Sequence, residues 1–445
     1  VLGHAVTRYL TFTWTLAPDE LVVREGLFVK NERHIPYERI QNVDLVQNPL
    51  HRALGVAEVR IETAAGAKPE AVLQVLSTNE VEAIRQRGAA ERSGRPAPLE
   101  TPASDESGDV VVRVPATQLA LLGLVMNRGL AVIGAGFALL MEFDVFETVL
   151  GALGFEAWIE SLSDTGTVGI VVQILVFAAS GIALLLSLSV VWTIVRFGGF
   201  TLRSSGEDLR LSCGLLTRIS ASIPRRRIQA ITVSAPWLLR LTGHASIEAQ
   251  TAGSATDGRD GGQNLLRRRF VPILPAADVP DVIAAVAPRL DQAAPEWHPV
   301  SKRAARRIRR RAFVLLAPLG LLGLVTPWAA VVGLGVAFVA AWSYGGAWTR
   351  AARVAETPWG LAWRRGVVTR RTTLLPFDKV QTVRLASTPF DRRYDHRTLV
   401  VDAAGGGRDS EIRIPFLERE RAEALFASLS QGASTTEYML RERVA

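Results

Sequence analysis

GLFVKNERHIPYERIQNVDLVQNPLHRALGVAEVRIET, residues 26–63, decides the reading of this chain because it returns twice: as GLLTRISASIPRRRIQAITVSAPWLLRLTGHASIEAQ at 214–250 and as GVVTRRTTLLPFDKVQTVRLASTPFDRRYDHRTLVVDA at 366–403. Each copy has a Gly, a Pro ten residues on, and then a basic-aliphatic-Gln triplet three to five residues past that Pro. The anchors are Gly26, Pro36 and Arg39-Ile40-Gln41; Gly214, Pro224 and Arg227-Ile228-Gln229; Gly366, Pro376 and Lys379-Val380-Gln381. A second Pro follows (Pro49, Pro236, Pro389), then an alternating stretch such as Val56-Ala57-Glu58-Val59-Arg60-Ile61. The copies lie more than a hundred residues apart, whereas solenoid units repeat every 20–50 or so. Each copy is therefore a small domain.

Inside a copy the signals are those of short antiparallel strands. Leu21 to Glu25, Gly26 and Leu27-Phe28-Val29 read as two strands about a Gly turn, and 209–216 and 361–368 repeat this. Pro36, Pro224 and Pro376 lack an N–H and belong at strand ends, edges or bulges. Pro49 to Gly55 reads as one helical turn closed by a Gly. Helix signals follow at Asn79 to Arg85, Asp278 to Leu290 and Leu417 to Leu429, each placed to cover an otherwise open sheet.

What separates the copies is apolar. Hydrophobic residues make up 48% of the 445, yet Lys and Arg still exceed Asp and Glu by eight, so the two kinds are segregated along the chain. No Lys or Arg occurs from Gly129 to Val195, and the run Val168 to Val195 exceeds the roughly 20 residues that cross a bilayer. Leu119 to Leu140 is a second run, broken by Arg128; Ala116 to Asn127 is expected along the interface, with Arg128 snorkelling to the headgroups. Ala312 to Trp348 is too long for one crossing, and Thr326-Pro327 divides it into two. Seven basic residues crowd Lys302 to Arg311, whereas the segment between the first two spans is acidic, so all three copies are expected in the cytoplasm. Because copies two and three each follow an apolar pair, a further pair is expected upstream of Val1. A lone cysteine, Cys213, forms no internal disulfide and agrees with a reducing compartment.

The succession Gly, Pro, Arg-Ile-Gln, Pro, Leu-x-x-x-x-Gly, with apolar pairs between copies, resembles the bacterial pleckstrin-homology (bPH2) family of YdbS/YdbT-like membrane proteins. The resemblance implies an α+β fold: three PH-like domains, each a strongly bent antiparallel sheet closed by a C-terminal helix, separated by transmembrane helical hairpins. It carries no catalytic activity. The expected partition is PH-like domains at 1–88, 198–292 and 351–430, a flexible linker at 89–112 and a hairpin within 113–197 (about 119–142 and 168–195). A basic helix with a second hairpin fills 301–350 (about 313–325 and 328–344), and 431–445 form a tail.

The candidate contacts to anionic lipid or a partner are the basic residues of the signature turns, Arg39, Arg225, Arg226, Arg227 and Lys379, and those beside the second hairpin, Arg306, Arg307, Arg309 and Arg310. Recurrence of Gln41, Gln229 and Gln381 in divergent copies fits a turn that satisfies backbone groups, and marks Gly26, Pro36, Gly214, Pro224, Gly366 and Pro376 as structural. Six scattered histidines have no ligand spacing, and Asp395-His396 is accompanied by no nucleophile motif, so no cofactor, metal or catalytic residue is expected. The Gly-rich stretch 251–264 lacks the Gly-Lys-Ser/Thr ending of a phosphate loop. Of the 51 basic residues 47 are Arg, many flanking apolar runs, which explains the charge without nucleic acid.

The expected function is that of a non-enzymatic inner-membrane scaffold binding protein or anionic lipid, in envelope stress or resistance to secreted toxins. The expected partners are membrane lipids and a smaller membrane protein with one such repeat. A transport component is the alternative, but its paired intramembrane charges are missing from the sequence.

Overall fold

The computed structural model describes residues 12–25, 31–63, 70–93, 108–126, 166–251, 270–290, 295–321, 327–403 and 411–444. Copy one contributes β1 (Thr13–Leu16), β2 (Glu20–Glu25), β3 (Asn31–Pro36), β4 (Ile40–Gln47), the short helix α1 (Pro49–Ala53), β5 (Val56–Thr63), β6 (Ala71–Ser77) and helix α2 (Thr78–Ser93). A single 3-10 turn, Tyr37–Arg39, separates β3 from β4, because Pro36 ends the first ladder by having no N–H to give. The chain thereby turns from one sheet into a second. Leu21, Ile35, Ile40, Val59, Ile61 and Leu73 from the two sheets meet in one core.

Copy two repeats the order. β7 (Asp109–Arg113) and helix α3 (Ala116–Met126) precede the long helix α4 (Thr167–Phe197). Then come β8 (Thr201–Ser205), β9 (Asp208–Cys213), β10 (Arg218–Pro224), β11 (Ile228–Pro236), α5 (Trp237–Leu241), β12 (His244–Thr251), β13 (Val271–Pro275) and α6 (Val279–Val286). Copy three has β14 (His298–Pro299), helices α7 (Ala304–Leu321) and α8 (Pro327–Ala351), β15 (Arg353–Thr357), β16 (Gly360–Arg365), β17 (Thr369–Pro376), β18 (Val380–Ala386), α9 (Pro389–Arg393), β19 (His396–Ala403), β20 (Glu411–Glu418) and α10 (Arg419–Val444).

The sheets do not coincide with the copies. Strand order β6-β5-β4-β10-β9-β8-β7 makes one seven-stranded sheet from the back half of copy one and the front half of copy two. A second, β13-β12-β11-β17-β16-β15-β14, joins copies two and three in the same way. Three-stranded sheets, β1-β2-β3 and β18-β19-β20, remain at the two ends of the row. Units expected as separate domains are thus fused edge to edge, which removes sheet edges that would otherwise template unwanted pairing.

The signature Gln marks a β-bulge. Pairing of β4, β11 and β18 with the following strand shifts register between Ile40 and Asn42, Ile228 and Ala230, and Val380 and Thr382, skipping Gln41, Gln229 and Gln381. A bulge bends and twists its strand, which here begins the second sheet of each copy.

Among the described residues two helices are long and apolar enough to cross a membrane: Gly169–Phe197, with mean hydropathy 2.6, and Ala330–Ala351, with 1.5. α3 packs on α4 through Gly123, where a Cβ would come within 2.6 Å of the Val190 Cα, and Ser189 Oγ donates to the Gly123 carbonyl at 2.7 Å. The segment 127–165, with Arg128 and the rest of the first expected crossing, lies outside the described residues, as does most of the expected linker. In the second pair the basic run and the start of the first apolar segment form one helix, α7, which contains Pro318.

Two expectations are corrected. The strand after the signature Gly begins at Arg218 and Thr369, so Leu215-Leu216 and Val367-Val368 stay in the turn. The cause is backbone geometry: Gly214 and Gly366 have φ of 105° and 95°, and a Cβ there would sit 2.1 and 1.9 Å from the carbonyl oxygens of Thr217 and Thr369. The last helix, expected over Leu417 to Leu429, runs Arg419–Val444 and takes in the residues assigned to a tail.

Candidate functional site

The turns and short helices that follow the signature elements converge on the ends of the apolar helices. Gly214 N–H donates to the Gly198 carbonyl at 2.8 Å and Leu215 N–H to the Val195 carbonyl at 3.0 Å, tying the turn of copy two to the last turn of α4. Arg52 of α1 reaches the Leu215 carbonyl at 3.0 Å, which brings copy one to the same place. Arg240 of α5, the counterpart of Arg52, reaches the Val367 carbonyl of copy three at 3.0 Å. These tips expose Leu50, Leu54, Leu215, Leu216, Trp237, Leu241, Val368 and Phe390. Large apolar side chains left in water at the tips of all three copies suit a lipid surface.

Between the tips of copies one and two lies a cleft of about 290 Å³, lined by Arg52, Arg113, Arg203 and Arg218 with Thr201, Ser212 and the backbone from Gly198 to Gly199 and Cys213 to Leu215. Four arginines line it, and among the described residues no carboxylate does. Arg52 and Arg203 are held by the carbonyls of Leu215 and Gly108, at 3.0 and 3.1 Å. The Thr201 and Ser212 hydroxyls bond one another at 2.7 Å on its wall. Such a group of fixed arginines next to a membrane-length helix attracts phosphate oxygens, which accept from paired N–H donors. Behind the wall, burial pushes the Cys213 thiol up to about 12, against the opposing pull of Arg196.

The residues named from sequence fall into three groups. Arg225, Arg226 and Lys379 line one cleft of about 310 Å³ between copies two and three. Glu207 and Asp378 line it too, Lys379 lies 3.2 Å from Asp378, Arg289 3.8 Å from it, and Arg225 donates to Ser204 Oγ at 2.6 Å. Two carboxylates thus meet four basic groups there, so this cleft is less positive than the first but not neutral. Arg227 does not line that cleft; its carbonyl accepts from Gln229 Nε2 at 3.1 Å. Arg39 stands exposed in the matching turn of copy one.

On α7 the four arginines diverge in role. Arg307 forms an ion pair with Asp391 of α9, Arg306 lies over the Tyr394 ring at 5.9 Å, and Arg309 stacks on Trp342 of α8 at 3.7 Å. Arg310 is exposed, and it shares with Arg306 and Arg309 an apolar cleft of about 240 Å³ floored by Phe313, Phe338, Ala341 and Trp342. Cation–aromatic stacking of this kind holds a guanidinium at a defined height along the helix.

Sequence reading missed the acid-free cleft, because its arginines come from α1, β7, β8 and β10 and share no local pattern. The exposed tips did leave a signal: Leu215-Leu216 directly after a turn Gly and Trp237 directly after a Pro are apolar residues where turn chemistry places polar ones. Among the described residues no group of His, Cys, Asp and Glu could hold a metal ion.

Repeated bent antiparallel sheets, each turned by a proline and a bulge and followed by a helix, joined to membrane-length apolar helices, define a membrane-associated protein of PH-like repeats. The chain belongs to the bacterial PH domain family, which matches residues 1–92, 150–289 and 312–433. It is similar to the UPF0699 transmembrane protein YdbT of Bacillus subtilis (strain 168), 26% identical over 272 residues that cover 59% of this chain and 54% of the relative. The match thus spans about half the length of that relative. No solved structure matches the chain.

Proposed function

We propose that this chain is a non-enzymatic membrane scaffold whose three fused PH-like repeats lie against the cytoplasmic surface of the inner membrane and hold anionic phospholipid at the Arg52, Arg113, Arg203 and Arg218 cleft. The observation that carries the reading is the position of that cleft: acid-free, and built on the turn that is hydrogen-bonded to the end of the apolar helix α4. The long apolar helices α4 and α8 serve as membrane crossings, and basic residues gather at their repeat-bearing ends as cytoplasmic flanks do. Exposed tips such as Leu216 and Trp237 then sit at headgroup depth, where lipid replaces the water they would otherwise order. A membrane protein with one such repeat is the expected protein partner, and envelope stress or toxin resistance the expected setting.

The test is lipid retention by the full chain, extracted in mild detergent, washed, and examined by native mass spectrometry. Each arginine near an anionic surface contributes about 1 kcal/mol, so Arg113→Gln with Arg218→Gln weakens retention of an anionic phospholipid by roughly thirtyfold. Arg225→Gln with Arg226→Gln leaves it unchanged, since those arginines line a different cleft, which holds Glu207 and Asp378. Release of the lipid by millimolar inorganic phosphate alone identifies the ligand as free phosphate. Retention that survives loss of Arg113 and Arg218 removes the assignment.

A further inference from the structure

The two junctions between copies use one register. At the first, Gln47, Val46 and Leu45 of β4 face Arg218, Ile219 and Ser220 of β10. At the second, Ala235, Ser234 and Val233 of β11 face Arg370, Arg371 and Thr372 of β17. Counted from the signature Gly of each copy, these are the same positions in the same pairing. The arginine clamp repeats as well, Arg52 onto the Leu215 carbonyl and Arg240 onto the Val367 carbonyl. A contact reproduced residue for residue in diverged copies is a docking rule of the repeat, and the rule leaves half a junction at each end of the row.

At one end is β18. Its counterpart β11 is paired on both sides, whereas β18 has only β19 beside it among the described residues. Gln381, Thr382 and Arg384 are exposed where Gln229, Ala230 and Thr232 are buried. Arg392 occupies the clamp position, and no carbonyl receives its guanidinium among the described residues. At the other end is β3, exposed from Asn31 to His34 where β10 is almost wholly buried.

The two open edges do not suit each other. In the shared register Leu385 faces Glu32 and Arg384 faces Arg33; Arg384 binds Glu411, but Arg413 binds the same carboxylate and Arg33 is held by the Glu70 carbonyl, so the rung would gather three arginines about one acid, and like charges directly opposite destabilise a pair. The same rung holds a hydrogen bond between the Thr232 and Thr373 hydroxyls, at 3.0 Å, in the second junction. Charged edge residues are the usual device against self-pairing.

We propose that β18 docks the front-sheet edge of a PH-like repeat carried by a different polypeptide, whose strand sets an acidic residue opposite Arg384, and that the Arg33–Arg384 rung keeps further copies of this chain off that edge. The occupant is a PH-like repeat because the edge continues an established junction. It is another chain because this one would add a third arginine where Arg384 and Arg413 already share Glu411. This rests on the scaffold reading above, naming the chemistry of its partner, but it is tested without lipid.

The chain itself is the probe once its charge is reversed. Full-length protein carrying Leu385→Cys is mixed in nanodiscs with protein carrying Glu32→Cys and oxidised; opposed Cβ atoms about 5 Å apart lie within reach of a disulfide. With Arg33 intact no cross-linked dimer forms. With Arg33→Glu in the Glu32→Cys chain a dimer forms, and it is lost when Cys is moved one rung to position 31. Arg33→Thr with Arg384→Thr, which recreates the threonine rung of the second junction, restores cross-linking independently of any local effect of the glutamate. Absence of cross-links in both variants, with thermal melts unchanged from the parent, overturns the edge and its register. Strong cross-linking with Arg33 intact assigns the edge to a second copy of this chain and overturns the partner. Lipid retention can fail while the cross-links form, so the two readings fall separately.

Discussion

The carboxylate of Asp391 binds the guanidinium of Arg307, 84 residues earlier in the chain, and so fastens the one-turn helix α9 of copy three to the basic helix α7. The same carboxylate accepts from the Thr388 hydroxyl at 2.6 Å and the Thr388 backbone N–H at 2.9 Å, closing a capping box. Burial pushes the Asp391 carboxyl up, but Thr388 and Arg307 together outweigh it and hold it below the ordinary aspartate value.

Removing this carboxylate strands a largely buried guanidinium and an N-cap together. Asp391→Ala is expected to cost about 3–5 kcal/mol from the broken pair and about 1 from the cap. Asp391→Asn keeps the cap acceptor and loses less. Thermal unfolding of the chain in nanodiscs measures both, and equal losses from the two variants would show that the cap acceptor contributes nothing and that the whole loss belongs to the Arg307 pair.

His396 gives copy three a pH dependence. The ring is buried between Tyr394 and Phe416, with centroids 6.2 and 6.0 Å away, and burial lowers its pKa although Asp391 pulls the other way. The folded state therefore prefers the neutral ring, and the unfolded chain takes up the proton first. Stability from this residue is whole above the unfolded value of about 6.5 and is lost as pH falls below it towards the folded value. Melting temperatures at pH 7.5 and 5.5 are expected to diverge more for the parent chain than for His396→Phe. Identical pH slopes in the two proteins would rule the residue out.

How much of this was legible in the sequence divides along physical lines. Gly55, Gly243 and Asp395 have φ of 68°, 69° and 56°, so the turn after the short helix is read correctly whether a Gly or an Asp fills it. The periodic strands and the apolar runs were equally plain, being local patterns. The shared sheets were not, because Val46 meeting Ile219 is a pairing across a long loop and an apolar helix, and no local propensity encodes it. The acid-free cleft was hidden for the same reason: Arg113 and Arg218 become neighbours only after β7 to β10 assemble. Basic runs such as Arg225 to Arg227 drew attention in the sequence, yet the fold supplies that cleft with its own acids.

Cys213 separates burial from reactivity. Its thiol lies within the copy-two core, and burial moves its pKa to about 12, so almost no thiolate exists near neutral pH. Maleimide is expected to leave the folded chain unlabelled and to modify it stoichiometrically in denaturant. Rapid labelling of the native protein would mean that β9 opens readily beside the end of α4.

The second junction can be dissected at its central rung. Thr232 and Thr373 bond hydroxyl to hydroxyl across β11 and β17, and both are buried. Thr373→Val removes one hydroxyl and leaves the other without it, at a cost of about 1–3 kcal/mol for an unsatisfied buried group. Thr232→Val does the same from the other side. The double variant replaces both with methyl groups of similar shape, and an apolar pair of the right volume restores most of the loss. Neighbours in direct contact give a coupling energy of about 0.5–3 kcal/mol in such a cycle, whereas residues acting independently simply add. Additive losses would mean that the two strands are not held at this rung, and that the fused sheet joins copies two and three through its outer rungs and the Arg240 clamp alone.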